Sequence, residues 1–141
     1  MTEMEELLNE VRLVWHLLIQ VAGQLHAGEP MTLGMRSVLE QLALEGPATV
    51  PAIARARYVT RQHLQVLVNG LLRLRLVELL DNPAHRRSPL VGLTPAGRRA
   101  LQRMLAKERR LLAGDFGLSG AALQNATETL RTVRAGLGRK R

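Results

Sequence analysis

The stretch from residue 49 to residue 97 constrains the fold more than any other part of the chain, because it carries several structural signals in a fixed order. Thr60 can cap a helix, and apolar residues then recur at helical spacing: Leu64, Leu67, Val68, Leu71 and Leu72. Residues 76–80 and 89–93 are short β-compatible segments, and a turn-rich loop joins them. This order predicts a helix followed by a two-stranded hairpin.

The side of this helix opposite the apolar row is polar. Its first turn and outer face carry side chains suited to hydrogen bonds with base edges or phosphates, namely Arg61, Gln62, His63, Gln65 and Asn69. A recognition helix has such a first turn, since its N-terminal residues meet the bases in the major groove. An ordinary solvated face is also polar, so the pattern alone leaves both interpretations open.

The hairpin loop has a basic tip formed by Arg86 and Arg87. After the hairpin, Thr94 and Pro95 predict the start of another helix, because Pro is favoured at the first helical position. Before the polar helix, residues 49–56 predict a short helix. Two short helices followed by a basic hairpin indicate a winged helix-turn-helix.

The order of these segments carries a family resemblance. After the two short helices come a Leu-Val strand, the loop Asn-Pro-Ala-His-Arg-Arg-Ser and the sequence Leu-Val-Gly-Leu-Thr-Pro-Ala-Gly. This arrangement resembles the DNA-binding core of the MarR family of bacterial transcriptional regulators. The resemblance implies a mainly α fold with a small β-wing, a winged helix-turn-helix with N- and C-terminal dimerisation helices.

Two positions depart from the pattern of the family. Many members have an Asp just before the arginine pair of the wing, and this chain has His85, which puts the ion pair that often braces the wing in question. Members also tend to have Gly where the recognition helix ends, and this chain has Arg75. A left-handed conformation at Arg75 would cost on the order of 1 kcal/mol.

The resemblance and the residue chemistry together predict which residues contact DNA. The first turn of the recognition helix would read bases, and the wing arginines would enter a minor groove or bind phosphate. The arginines beside the preceding turn would contact phosphate, although plain solubility also accounts for them. The predicted set is Thr60, Arg61, Gln62, His63, Gln65, Arg55, Arg57, His85, Arg86 and Arg87.

Three further apolar stripes at helical spacing lie outside the core, one before it and two after it. A dimerisation layer accounts for them most simply. We expect an N-terminal dimerisation helix in residues 1–30, the winged core in residues 31–97, and C-terminal dimerisation helices in residues 98–141, all in one intertwined domain. The first of these C-terminal helices should end near Gly117. Such a dimer would bind a palindromic operator with half-sites about one helical turn apart.

Positive charge is concentrated in the predicted DNA-binding part. The formal net charge is +8, and residues 55–110 hold 13 Lys and Arg against Glu78, Asp81 and Glu108. Double-stranded DNA is the natural partner, since neutralised phosphates release counterions. A membrane-surface helix would need bulky apolar residues opposite its basic ones, and single-strand binding would need aromatic platforms. One Trp, one Tyr and one Phe, all scattered, argue against both.

Composition also narrows the kinds of site. No cysteine is present, which removes disulfides, thiolate metal sites and cysteine-based oxidant sensing. No histidine pair has metal-ligand spacing with a carboxylate, and no catalytic motif occurs, so we expect no metal, no cofactor and no enzyme. No apolar run reaches the roughly 20 residues of a membrane helix, and the acidic N-terminus is unlike an export signal. We therefore expect a cytoplasmic protein.

Members of the resembled family often bind a small, frequently aromatic or anionic molecule between the dimerisation helices and the winged domain. In this chain Trp15, His16, Met35 and Arg36 are the candidates to line such a crevice. Ordinary core packing is the alternative for Trp15 and Met35. A ligand would act as a switch only if it bound two conformations with different affinity.

These features together favour a homodimeric regulator that binds double-stranded DNA at specific sequences, acts as a repressor and is released by a small ligand. The alternative is a non-specific architectural or protein-interaction module built on a winged helix, which would bind all sequences equally. A small-molecule carrier with an incidentally basic surface is a third interpretation, and it would bind a ligand but no DNA at modest salt.

Overall fold

The computed structural model describes residues 1–141 as six helices and one two-stranded antiparallel sheet. The helices are α1 (Glu3–Leu25), α2 (Leu33–Glu45), α3 (Val50–Arg57), α4 (Arg61–Arg73), α5 (Pro95–Leu112) and α6 (Gly120–Gly138). The strands β1 (Val77–Leu80) and β2 (Leu90–Leu93) lie between α4 and α5. The mainly α winged helix-turn-helix expected from the sequence is confirmed. None of the six helices has the length and apolarity needed to cross a membrane.

A hydroxyl side chain caps the start of every helix. In each case its oxygen accepts a hydrogen bond from the backbone N–H three residues later, which satisfies a donor that has no intrahelical partner. The capping residues are Thr2, Thr32, Thr49, Thr60, Thr94 and Ser119. At Thr2 the cap is reciprocal, because the Glu5 carboxylate accepts from the Thr2 N–H at 2.6 Å. That backbone bond, with the bond from the Thr2 hydroxyl, lowers the pKa of Glu5.

One helix end differs from the prediction. The helix that begins at Pro95 ends at Leu112 rather than near Gly117. The Asp115 carboxylate accepts a hydrogen bond from the Gly117 N–H at 2.7 Å, and Gly117 has a φ of +70°. This local turn ends the helical conformation before Gly117, because a left-handed residue cannot continue a right-handed helix.

Residues 1–109 and residues 110–141 form two compact units. The core belongs to the first unit and combines α2, α3, α4, the hairpin and α5; its fully buried large side chains are Val38, Leu39, Ile53, Leu64, Val68, Leu71, Val91 and Met104. The apolar row predicted on α4 faces this core, with Leu67 and Leu72 half-buried at its margin. By contrast, α1 and α6 contain no buried side chain, and most of the apolar residues in their stripes are exposed.

A single junction fixes the wing to the end of α4. The Thr94 hydroxyl donates to the Arg75 carbonyl at 2.8 Å, and the Thr94 N–H donates to the Leu76 carbonyl at 3.2 Å. The same hydroxyl accepts from the Gly97 N–H at 3.0 Å. Gly97 lies so close to the Leu76 carbonyl that a Cβ at this position would collide with its oxygen. Glycine is therefore required here for close backbone approach.

The sheet has more backbone partners than the sequence indicated. β1 pairs with β2 in the register Val77 to Leu93 through Leu80 to Leu90. On the other side of β2, the Val91 N–H donates to the Ala48 carbonyl at 2.8 Å and the Ala48 N–H donates back at 3.1 Å. This bridge joins the connection between α2 and α3 to the wing, and the prediction of two strands alone did not include it.

Arg75 has a φ of +58°, so the residue that replaces the usual glycine is in the left-handed region. We expect Arg75→Gly to raise the free energy of unfolding by about 1 kcal/mol, because glycine adopts this conformation without the Cβ penalty. Urea unfolding at fixed protein concentration measures the change. Gln102→Gly, inside the exposed face of α5, is the matched control and should lower the free energy of unfolding by about 1 kcal/mol. A lower free energy of unfolding for Arg75→Gly would contradict the presence of backbone strain at Arg75.

Candidate nucleic-acid interface

A groove of about 420 Å³ lies between the first turn of α4 and the wing. Arg61, Gln62 and Gln65 form its helical wall, and Arg87 stands on the opposite wall, which the wing provides. Val50 and Pro51 at the start of α3 close one end of the groove. Four of the residues predicted to contact DNA therefore share one surface, although they come from two elements far apart in the sequence.

The groove is electropositive for two reasons. Its lining contains Arg61 and Arg87 and no acidic residue. It also includes the first residues of α3 and α4, and the N-terminal end of a helix carries a partial positive charge with unpaired N–H groups. A polyanionic backbone is the kind of ligand that this combination attracts.

The wing loop is braced by an amide side chain. Asn82 donates from its Nδ2 to the Ser88 carbonyl at 2.9 Å, and its Oδ1 accepts from the Ala84 N–H at 3.2 Å. The His85 N–H donates to the Asn82 carbonyl at 3.1 Å. Asn82 thus holds the loop without the Asp that many family members have where this chain has His85. Asn82 was not among the predicted site residues, although Asn before Pro is a frequent turn former.

The remaining predicted DNA-binding residues occupy different surroundings. Arg55, His85 and Arg86 are exposed and do not line the groove. The Thr60 hydroxyl is engaged in the cap of α4, where it accepts from the His63 N–H at 3.1 Å. Arg57 and His63 line a separate cavity.

This cavity, of about 630 Å³, adjoins the first turn of α4 and is mainly apolar. It lies between α1, α2, the turn after α3 and α4; its lining includes Trp15, Ile19, Leu33, Val38, Val59 and Leu67. Trp15 is 58% exposed, so it does not pack in the core of this chain. The size and the lining suit a small aromatic molecule.

Arg57 supplies the cationic group of the cavity. Its side chain lines this cavity and a second one of about 300 Å³ beside it. The Arg57 Nε is buried and has no hydrogen-bond partner. The Arg57 guanidinium forms no ion pair with a carboxylate of the chain, so its charge is available to an anion in the cavity.

Arg36, which the sequence indicated as a ligand residue, is already neutralised. Its guanidinium donates to Glu40 at 2.6 Å and to Glu108 at 2.7 Å. Burial alone would lower the pKa of Arg36, but these two bonds outweigh burial and raise that pKa. The buried His26 completes the cluster, with its Nε2 at 3.4 Å from the Glu108 carboxylate. No short-range sequence signal indicates His26, because its partner is on α5.

The other two predicted ligand residues lie outside both cavities. His16 is exposed on α1. Met35 is half-buried, and its Cε occupies the space where a Cβ on Gly70 would lie. The structure thus brings Trp15 and Arg57 together, with Arg36 at the second cavity.

Comparisons with known proteins agree with this geometry. The model of the MarR family matches residues 36–88. The uncharacterized protein Rv2011c of Mycobacterium tuberculosis is 35% identical over 127 residues, covering 88% of this chain and 87% of the relative. The crystal structure of the MarR family transcription regulator SP03579 superposes with a TM-score of 0.81 at 27% identity, covering 99% of this chain and 97% of that one.

A second solved structure is that of a regulator whose DNA binding responds to a small molecule. The structure of BpsR of Bordetella bronchiseptica was described in connection with the regulation of its DNA binding by 6-hydroxynicotinic acid. It superposes on this chain with a TM-score of 0.80 at 21% identity. The match covers 95% of this chain and 96% of BpsR. At this identity the comparison supports the fold alone.

Removal of the Arg36 guanidinium should destabilise the fold. We expect Arg36→Ala to lower the free energy of unfolding by about 2 to 3 kcal/mol, because two carboxylates then lose their shared partner in a largely buried position. Chemical denaturation measures the loss. Arg103→Ala is the matched control, because it removes the exposed partner of Glu29 in an ion pair of 3.6 Å. It should lower the free energy of unfolding by less than about 0.5 kcal/mol. Equal effects of the two substitutions would contradict a structural role for the Arg36 cluster.

Proposed function

This chain belongs to the MarR family of transcription regulators, and on that premise we propose that it acts as a homodimeric repressor that binds a specific palindromic DNA sequence. The observation that carries the proposal is the electropositive groove between α4 and the wing, with Arg61, Gln62, Gln65 and Arg87 on its walls. In this arrangement the first turn of α4 enters the major groove, where Arg and Gln side chains hydrogen-bond to base edges.

The wing supplies contacts to the DNA backbone. Arg87 faces the same groove as the recognition helix, and Arg86 lies exposed beside it. A phosphate seated between the wing and α4 would interact with Arg87 and with the N-terminal end of α3. The exposed Arg55 beside the helix-turn-helix, with His85 on the wing loop, extends the basic surface along the duplex.

Dimerisation is supported by α1 and α6, the two helices that contain no fully buried residue. On α1 the exposed apolar side chains include Val14, Leu17 and Leu18, and on α6 they include Leu123, Leu130 and Leu137. Contiguous apolar surface of this kind is typical of a protein interface. We assign dimerisation to residues 1–30 and 98–141, of which Ala100, Leu101 and Met104 of α5 also pack in the core, and DNA binding to residues 31–97. A dimer on a promoter would repress transcription by excluding other proteins from the same DNA.

We further propose that a small aromatic anion binds the cavity beside α4 and releases the DNA. Its ring would pack on Trp15 and Ile19, and its carboxylate would bind the guanidinium of Arg57, which has no carboxylate partner within the chain. Arg36 is a poorer anion site, since Glu40 and Glu108 neutralise it. The ligand would touch α1 and α4 at once, so it can favour one arrangement of the two helices over another.

The base-reading and phosphate-binding roles can be separated with two substitutions. Arg61→Ala should weaken binding to an operator about tenfold or more with little change on random DNA, because a base contact contributes about 1 to 3 kcal/mol to discrimination. Arg87→Ala should weaken both duplexes alike and lower the salt slope by about one, because a phosphate contact carries no sequence information. Fluorescence anisotropy on a duplex enriched from a random library measures both.

The controls for this experiment address charge and assembly. Arg139→Ala removes an exposed positive charge beyond α6 and should leave both affinities unchanged. Sedimentation of the complex should give two chains per operator. Equal affinity of the unsubstituted protein for enriched and random duplexes would contradict the regulator and favour a non-specific architectural protein instead.

Ligand binding can be followed with benzoate as the probe. The single tryptophan, Trp15, reports on the cavity, so benzoate should change its emission and should weaken operator binding. Arg57→Gln should raise the dissociation constant for benzoate about tenfold or more, because a hydrogen bond to a charged group contributes about 1.5 to 3 kcal/mol. Tryptophan emission and calorimetry measure the affinity.

Arg55→Gln is the matched control for the ligand experiment, since Arg55 is exposed on the same helix and does not line the cavity. Its affinity for benzoate should equal that of the unsubstituted protein. If Arg57→Gln and Arg55→Gln bind benzoate equally, the assignment of Arg57 as the anion site fails, even where benzoate still releases DNA.

A further inference from the structure

Val66 is the one apolar side chain among the exposed residues of α4, and it is 60% exposed. The other exposed residues of this helix are polar: Arg61, Gln62, His63, Gln65, Asn69 and Arg73. At 3.6 residues per turn, Val66 shares its face with Gln62 and Asn69. This face lies opposite the buried row, so Val66 is at the centre of the outward surface of the recognition helix.

Neither helix formation nor packing explains valine at this position. A β-branched residue loses side-chain freedom in a helix, so an exposed site favours Ala, Lys, Glu or Gln over Val. The core does not use Val66, because Leu64, Val68 and Leu71 on the other side of α4 fill it. An apolar group at the centre of this polar surface can contact an apolar feature of a bound duplex.

Its neighbours on α4 are already arranged for one base. The Gln65 Nε2 donates to the Asn69 Oδ1 at 2.9 Å, which fixes the orientation of both amides. The pair then presents the Gln65 Oε1 as an acceptor and the Asn69 Nδ2 as a donor. Adenine offers the complementary N6 amino donor and N7 acceptor in the major groove.

We propose that Val66 is a specificity-determining residue that packs on the 5-methyl group of a thymine in each half-site, next to an adenine bound by Gln65 and Asn69. Thymine is the only base with a methyl group in the major groove, and apolar side chains recognise it by contact. The inference rests on the proposed function, since it requires α4 to enter the major groove.

Deoxyuridine tests this contact because it removes the methyl group and leaves base pairing unchanged. Each thymine of an enriched operator is replaced in turn, symmetrically in both half-sites, and the affinity of the dimer is measured by anisotropy. One position should weaken binding about fourfold per half-site, which corresponds to about 0.8 kcal/mol for one buried methyl group. With Val66→Ala, the same replacement should change the affinity less than about 1.5-fold, because the contact is already lost.

Leu44→Ala is the matched control, since Leu44 is a 70% exposed apolar residue on α2, outside the α4 face. It should retain the full sensitivity to deoxyuridine. The inference is overturned if no thymine is sensitive, or if Val66→Ala stays as sensitive as the unsubstituted protein. A protein that binds operator and random DNA equally would instead overturn the proposed function, and with it the role of Val66.

Discussion

The contact between Gly97 and the carbonyl of Leu76 is the constraint on which the DNA-facing surface depends. It brings the start of α5 against the end of α4, and the Thr94 hydroxyl bonds to both sides of the junction. The α4 helix of 13 residues is about 20 Å long, and a four-residue strand extends about 13 Å. A hairpin anchored at the C-terminal end of α4 can therefore reach back towards its first turn. The groove forms because the contact between Gly97 and Leu76 fixes the direction in which the hairpin runs back along α4.

Local signals predicted most of the fold. Thr60, Thr94 and the other capping hydroxyls start helices because the first N–H groups of a helix need acceptors, and this need is met within three residues of sequence. The apolar row on α4 and the two strands also follow from short-range periodicity. The predicted end of α5 near Gly117 was wrong because it was also based on local apolar periodicity. Apolar periodicity continues through Leu111 and Leu112, but both are exposed, and the Asp115 turn ends the helical conformation.

The parts that sequence did not predict depend on contacts between distant residues. Arg36 and Glu108 are 72 positions apart, and no pattern within either helix indicates that their side chains meet. The bridge from Ala48 to Val91 depends on how the α2–α3 connection lies against the wing. The same holds for the candidate site. Arg55 and Arg57 are both arginines in the last turn of α3, and the sequence does not distinguish them. Packing leaves Arg55 exposed and places Arg57 at the cavity with a buried Nε.

The first turn of α4 gives a physical route between the two proposed sites. Arg61 and Gln62 face the groove, while His63 lines the cavity on the other side of the same turn. The Thr60 hydroxyl caps this turn by accepting a hydrogen bond from the His63 N–H, which ties the start of the turn to the residue that lines the cavity. The cavity also has walls on α1 and α2, so a ligand bound between Trp15 and His63, as proposed, would set the distance from α1 to the first turn of α4. A dimer held through α1 would transmit that distance to the spacing of its two recognition helices, which a palindromic site must match. In such a dimer, a displacement smaller than one base pair would be enough to favour release, because both half-sites would have to be in register at once.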